Sequence, residues 1–330
     1  MKKYLIIFVS VAMVSACTKD LSHDSKFIPS GNAGINDTTW YNHPALIPLN
    51  DTLLHIFNSP DFYTDSFLEP TGKSFQFYGD DSLQINFSAG CCINPANNTV
   101  ITNGTIHFQI SVLKSKGDFI RTMIPTSSNK TILKANKVFN LKLLWNGQEV
   151  TINPSLPITL SWLDKNANSN AAFYTGVPLN NPDSVFTFGT VPSNAGSVQV
   201  VNYPLSSVTK GYQLTSSVSH LFGAFNAYDN VNNTRLNVIM PLNFTNKNTV
   251  VFVVFKNSQT VLKLASDYPT CSFYATGIPF NTMLNIVALG KIDNQFYWAN
   301  NSIIFGNNNA VKIIPQEKSV ADIKAALDAL

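Results

Sequence analysis

Thr105-Ile106-His107-Phe108-Gln109-Ile110-Ser111-Val112 alternates apolar and polar side chains without a break. Ile106, Phe108, Ile110 and Val112 share one parity. Successive strand side chains point to opposite faces, so these four line the buried side of a half-covered antiparallel strand. Further strand runs recur at residues 75–78, 83–87, 138–145 and 149–152. Asn146-Gly147 separates two of them, a hairpin signal because both residues accept positive φ. The second half repeats the style at 236–240, 250–255, 260–264, 284–289, 295–299 and 311–314. Val250 to Phe255 is apolar at every position, as in a strand covered on both faces. Helical periodicity appears at the C-terminus, where Ser319 can cap and Val320, Ile323, Ala326 or Leu327, and Leu330 share a face. The fold class expected is all-β: two antiparallel β-sandwich domains with a short C-terminal α-helix, preceded by a signal peptide and a flexible tether.

That leader is read from Lys2-Lys3, an apolar stretch from Tyr4 to Val14, and Val14-Ser15-Ala16-Cys17. A positive start, a short apolar core and small residues before a cut make a secretory signal. The core is shorter than the ~20 residues that cross hydrocarbon as a helix. A cysteine at the cut resembles the bacterial lipoprotein signal, in which the thiol receives a diacylglyceryl group. Buried acyl chains contribute ~0.8 kcal/mol per methylene, so two or three chains on Cys17 anchor the protein stably. Thr18 stands where an aspartate would argue for inner-membrane retention, so the expected location is the outer membrane. The expected divisions are 1–16 signal peptide, 17–40 lipidated cysteine and tether, 41–160 first sandwich with a lead-in, and 161–330 second β-rich domain with its helix.

Charged residues make up only 12% of the chain, about half the usual share, so solubility rests on asparagine, serine and threonine in loop tips. Net charge is +3 without a basic cluster beyond Lys2-Lys3, which excludes the electrostatic footprint of nucleic-acid binding. With Cys17 committed to lipid, Cys91, Cys92 and Cys271 remain, in a compartment where disulfides persist. Buried free thiols are expected, with a link from Cys91 or Cys92 to Cys271 as the alternative. No Cys/His spacing suggests zinc, so no metal and no cofactor is expected.

Gly117-Asp118-Phe119-Ile120, Pro125-Thr126-Ser127-Ser128, Leu133, Phe139-Asn140 and Asn146-Gly147-Gln148-Glu149-Val150 form a pattern of turns and strands behind Gly104. It resembles lipoproteins of Bacteroidota whose first domain is similar to the β-sandwich of zonula-occludens proteins, netrin receptors and ankyrins. In the second half, Asn226-Ala227-Tyr228-Asp229, Val250 to Phe255 and Ile278-Pro279-Phe280-Asn281 look like the region that follows in those lipoproteins. The resemblance covers roughly residues 74 to 330 and implies a fold rather than a reaction. Asn136-Lys137 replaces paired glycines of the family, with Asn136 suited to a left-handed turn, and Asn281 displaces another glycine. Some domains of the superfamily cleave themselves at His-Phe-Ser, but here the triplet is His107-Phe108-Gln109 and lacks the nucleophile.

No nucleophile elbow, zinc-protease helix or phosphate loop occurs, and the five histidines are dispersed, so no catalytic residue is assigned. Asp61, Asp65, Asp80, Asp81 and Glu149 read as turn acids, and Asp229 to Asn233 lacks the bidentate glutamate of a calcium loop. Trp40, Trp162 and Trp298 are the candidate ligand-contact aromatics. Asp-Thr and Asp-Ser triplets, as at Asp37-Thr38-Thr39, match a Bacteroidota O-glycosylation pattern. The expected function is a non-enzymatic binding or scaffolding module of the cell envelope, anchored to membrane lipid through Cys17 and meeting an envelope protein or glycan. The alternatives are a surface carbohydrate-binding lipoprotein and an envelope hydrolase with a site assembled through space.

Overall fold

A computed structural model describes residues 37–42, 48–57, 62–77, 82–129, 131–177, 187–190, 194–202, 210–228, 234–306 and 310–330. The signal peptide, Cys17 and the tether up to residue 36 lie outside the described residues. The chain opens with α1 (Pro48–Phe57), β1 (Phe62–Leu68), β2 (Lys73–Phe77), β3 (Leu83–Phe87), β4 (Cys92–Asn94), β5 (Thr99–Val100) and β6 (Thr105–Leu113). Then come α2 (Lys116–Arg121), β7 (Ser127–Ser128), β8 (Thr131–Trp145), β9 (Gln148–Glu149), β10 (Thr151–Ile152) and β11 (Ile158–Leu163). β12 (Ala172–Gly176), β13 (Phe188–Gly189), β14 (Gly196–Asn202), β15 (Lys210–Ser216) and β16 (His220–Ala227) follow. The remainder is β17 (Arg235–Ile239), β18 (Thr249–Phe255), β19 (Val261–Lys263), β20 (Ala265–Asp267), β21 (Ser272–Thr276), β22 (Met283–Ile292), β23 (Gln295–Ile304), β24 (Ala310–Lys312), β25 (Gln316–Glu317) and α3 (Val320–Asp328).

The protein is all-β, with short helices between and after the sheets. One sheet has the order β1-β6-β8-β16-β12-β13 and faces a second ordered β14-β15-β11-β3-β2. Their facing side chains make one core: Ile106, Phe108 and Ile110 of β6, with Phe139 and Leu141 of β8, meet Phe75, Ile85, Phe87, Leu160, Trp162 and Leu214. The parity read from residues 105–112 is the one that folds inward. Asn146 (φ 50) and Gly147 (φ 77) make the two-residue turn between β8 and β9, pairing Trp145 with Gln148. A boundary at residue 160 falls inside β11. β11 and β15 complete one sheet, β12, β13 and β16 the other, and the chain leaves this sandwich only after Ala227. Without Leu160, Trp162, Tyr212 and Leu214 the inner face of β8 would have nothing to bury against.

The second sandwich pairs the sheets β20-β21-β17-β24 and β19-β18-β22-β23-β25. Val251, Val253 and Phe255 of β18 enter the core between these sheets, against Leu236, Val238 and Phe273. Val250, Phe252 and Val254 point the other way, into a layer with Leu53 and Phe57 of α1, Phe119 and Ile120 of α2, and Ile323 and Leu327 of α3. Leu133, Val138 and Phe225 of the first sandwich belong to the same layer, so both faces of β18 are covered. α2 is closed by a capping box: the Ser115 hydroxyl accepts the Asp118 N–H, and the Asp118 carboxylate accepts the Ser115 N–H. α3 begins at the expected Ser319 cap.

Two expectations change. Residues 37–40, expected in the flexible tether, are packed on the second sandwich: Lys247 pairs with Asp37 at 2.9 Å, and Trp40 lies 5.0 Å from the Phe273 ring. Next in the chain, Tyr41 exchanges two 2.9 Å hydrogen bonds with the Asn246 side chain. Asn136 takes no left-handed turn. It is the extra residue of a β-bulge, since Ala224 faces Lys137 and Phe225 faces Ala135, and its amide donates to Asn226 at 2.8 Å. Asn281 is left-handed, at φ 59.

Candidate functional site

The outer face of the first sheet carries the residues of opposite parity to its core. Phe62 pairs with Ser111 and Thr64 with Gln109 across β1 and β6; Gln109 pairs with Lys142 and Ser111 with Asn140 across β6 and β8. Because strand side chains alternate, Phe62, Gln109, Ser111, Asn140 and Lys142 share this face. Together with Thr122 and Ile124, from the turn after α2, they line a trough of about 540 Å³. Gln109 also lines a second recess of about 290 Å³ with Thr64, Ser66, His107 and Leu144, so the polar strip runs on across the sheet. Phe62 is 59% exposed, and Gln109, Asn140 and Lys142 are exposed beside it.

His220 and Glu149 close the other side of the trough. His220 enters β16 with φ 66, and its Nε2 lies 3.0 Å from Glu149 Oε1. Glu149 pairs with Leu144, whereas Ser111 sits on the row of Asn140 and Leu221. The order β6-β8-β16 places Ser111 two strand spacings from the histidine strand, about 10 Å, and the imidazole is drawn the opposite way along the edge. Serine, histidine and acid therefore share a trough without forming the nucleophile–base hydrogen bond of a hydrolase. The groups present suit reversible binding: amides and hydroxyls to donate and accept, one ammonium, and one flat apolar ring.

None of the three tryptophans lines this trough. Trp162 is 1% exposed and packs 5.5 Å from Phe139 and 5.4 Å from Tyr212. Trp298 is buried in the layer shared with the helices, and Trp40 is half-buried on Phe273. Strand parity turned the first two inward, and sequence alone does not say which face of a strand meets the partner sheet. Phe62, the exposed ring at the trough, lay in a segment read as a lead-in. Its pairing with β6 is a long-range contact that no local signal announces. His107 is exposed in the second recess.

Cys91, Cys92 and Cys271 are free thiols, the first two buried in the first sandwich and the last exposed at a turn of the second. Cys91 Sγ lies 3.7 Å from Cys92 Sγ and 3.8 Å from Glu69 Oε1. The hydrogen bond to Cys91, and then burial, push the Cys92 thiol far above its usual range, so it is protonated. Among the described residues no helix is long and apolar enough to cross a membrane. No protein-family model, no curated protein and no solved structure matches this chain.

Proposed function

We propose that the protein is an envelope lipoprotein, anchored through Cys17 in the outer membrane, that acts without catalysis by holding a ligand on the outer face of its first β-sandwich. The observation that carries this reading is the trough lined by Phe62, Gln109, Asn140 and Lys142, an exposed ring set among amides and one ammonium on an otherwise weakly charged chain. Such a surface discriminates by hydrogen-bond geometry and ring contact more than by long-range charge. The Val14-Ser15-Ala16-Cys17 signal supports the anchor. The separated rows of Ser111 and Glu149 support the absence of hydrolysis.

A carbohydrate ligand is the second reading, favoured by Phe62 standing beside amide and hydroxyl groups, since an exposed ring can stack on a sugar face. It moves the contact aromatic from Trp40, Trp162 and Trp298 to Phe62. The test is binding of the full chain to glycan arrays and, in parallel, to proteins cross-linked to it in its own envelope, with Phe62→Ala and Lys142→Ala alongside. Selective glycan retention lost in Phe62→Ala supports the sugar; a protein partner lost in both variants supports scaffolding. Retention unchanged in both variants refutes the trough as the binding face.

A further inference from the structure

Two neighbouring cysteines in extended chain normally point apart, because successive strand side chains alternate. Here they converge. Cys91 sits after the left-handed Gly90 (φ 75) and just before β4, and the turn brings its thiol beside that of Cys92. Glu69, following β1, reaches the same spot from another part of the chain. Its Oε2 accepts the Gly90 N–H at 2.7 Å, and its Oε1 accepts the Cys92 N–H at 2.8 Å. All three residues are fully buried, and one ligand atom from each lies within 4.8 Å of the others.

A carboxylate at 0% exposure that accepts an N–H on each oxygen has the bonding pattern of an anion. Among the described residues no cation pairs with it: the ion pairs involve Asp37, Asp118, Glu149, Asp267 and Asp328. The spacing of the three ligand atoms fits a metal ion. Two thiolates on a tetrahedral zinc, at Zn–S of about 2.3 Å, stand about 3.8 Å apart, and a carboxylate oxygen stands about 3.5 Å from each sulfur. The observed separations are 3.7 Å between the sulfurs and 3.8 Å from Cys91 Sγ to Glu69 Oε1.

We propose that Glu69, Cys91 and Cys92 form a binding site for a zinc-class divalent ion. Binding forms two Zn–S bonds and one Zn–O bond, releases the two thiol protons to solvent, and leaves the fourth position to a water. Three negative ligands on a 2+ ion leave one net negative charge, which the Gly90 and Cys92 N–H groups already face. Buried with its ligands, the ion clasps the start of β4 to the end of β1 at one end of the first sandwich core.

The test uses the full chain, stripped with chelator and given cobalt(II) and then zinc(II). The expected result is a thiolate-to-cobalt charge-transfer band at one equivalent, displaced by zinc, with one zinc retained after desalting. Cys271→Ser keeps the band, and Cys91→Ala/Cys92→Ala loses it. Should that double variant fail to fold, wild-type melting decides instead: zinc raises the midpoint of the wild type and of Cys271→Ser alike. A folded wild type with no band and no retained zinc overturns the proposal. So does a band that survives in a folded double variant, or a melting midpoint that zinc leaves unmoved.

Discussion

Gly117 is the point where α2 touches the C-terminal helix. A Cβ there would stand 2.7 Å from the Leu327 carbonyl carbon and nearer still to its oxygen, so Gly117→Ala forces α3 away. The outward shift exposes Ile323 and Leu327, both at 0% exposure, and parts the pairing of Arg121 with Asp328. Fully burying such an aliphatic side chain is worth about 1.5–3 kcal/mol, so complete undocking removes about 3–6 kcal/mol. Alanine's better helix propensity returns about 1 kcal/mol. The net expectation is a loss of about 2–5 kcal/mol, with amide protection of 320–328 falling to that of an isolated helix. Urea unfolding followed through Trp298, which shares the layer with α3, together with hydrogen exchange, measures both. The exposed Lys324→Ala serves as control. A Gly117→Ala protein as stable as the wild type, with α3 still protected, would refute the close approach and the role given to the helix layer.

Trp162→Ala should cost about 3–5 kcal/mol, as removal of a core aromatic does, and any ligand affinity it loses should follow the unfolded fraction; denaturant melts beside binding at low temperature separate the two. Asp37 gives a pH signature. The Thr39 hydroxyl first, then Lys247, hold its carboxyl at about 2, below the ordinary 3.8. A depressed acid contributes its tie above its unfolded value and loses it as pH falls through the folded one. The Asp37–Lys247 clasp should therefore persist at pH 3 and release near pH 2, read as an increase in exchange at Thr39 and Tyr41. Release already complete at pH 4 would contradict the clasp.

Most of the strands were legible because alternation is a local property. The parity of 105–112, the Asn146-Gly147 turn, the doubly covered run 250–255 and the Ser319 cap each stand where side-chain chemistry alone would put them. β1, β11 and β15 carry a weaker signal, since residues such as Thr64, Ser66, Thr159 and Ser161 dilute the apolar pattern on strands whose partners lie far along the chain. The boundary at 160 followed from that weakness. α2 was hidden inside a turn-like pattern, because six residues are too few to show a helical period. Neither the trough nor the Glu69, Cys91 and Cys92 cluster was visible. Each assembles from elements joined by strand pairing or a turn, and strand parity, which residue type does not reveal, turns Trp162 and Trp298 inward.

Ligand occupancy of the trough is tested most directly by photocross-linking in the living cell. A diazirine side chain is placed at Gln109, which lines both recesses, and, as a control, at the exposed Asn301 of the second sandwich. A discrete adduct from position 109, absent from position 301 and lost when Phe62→Ala and Lys142→Ala are added, is the expected result. Adducts from 301 alone, or from both positions equally and regardless of Phe62 and Lys142, would contradict it.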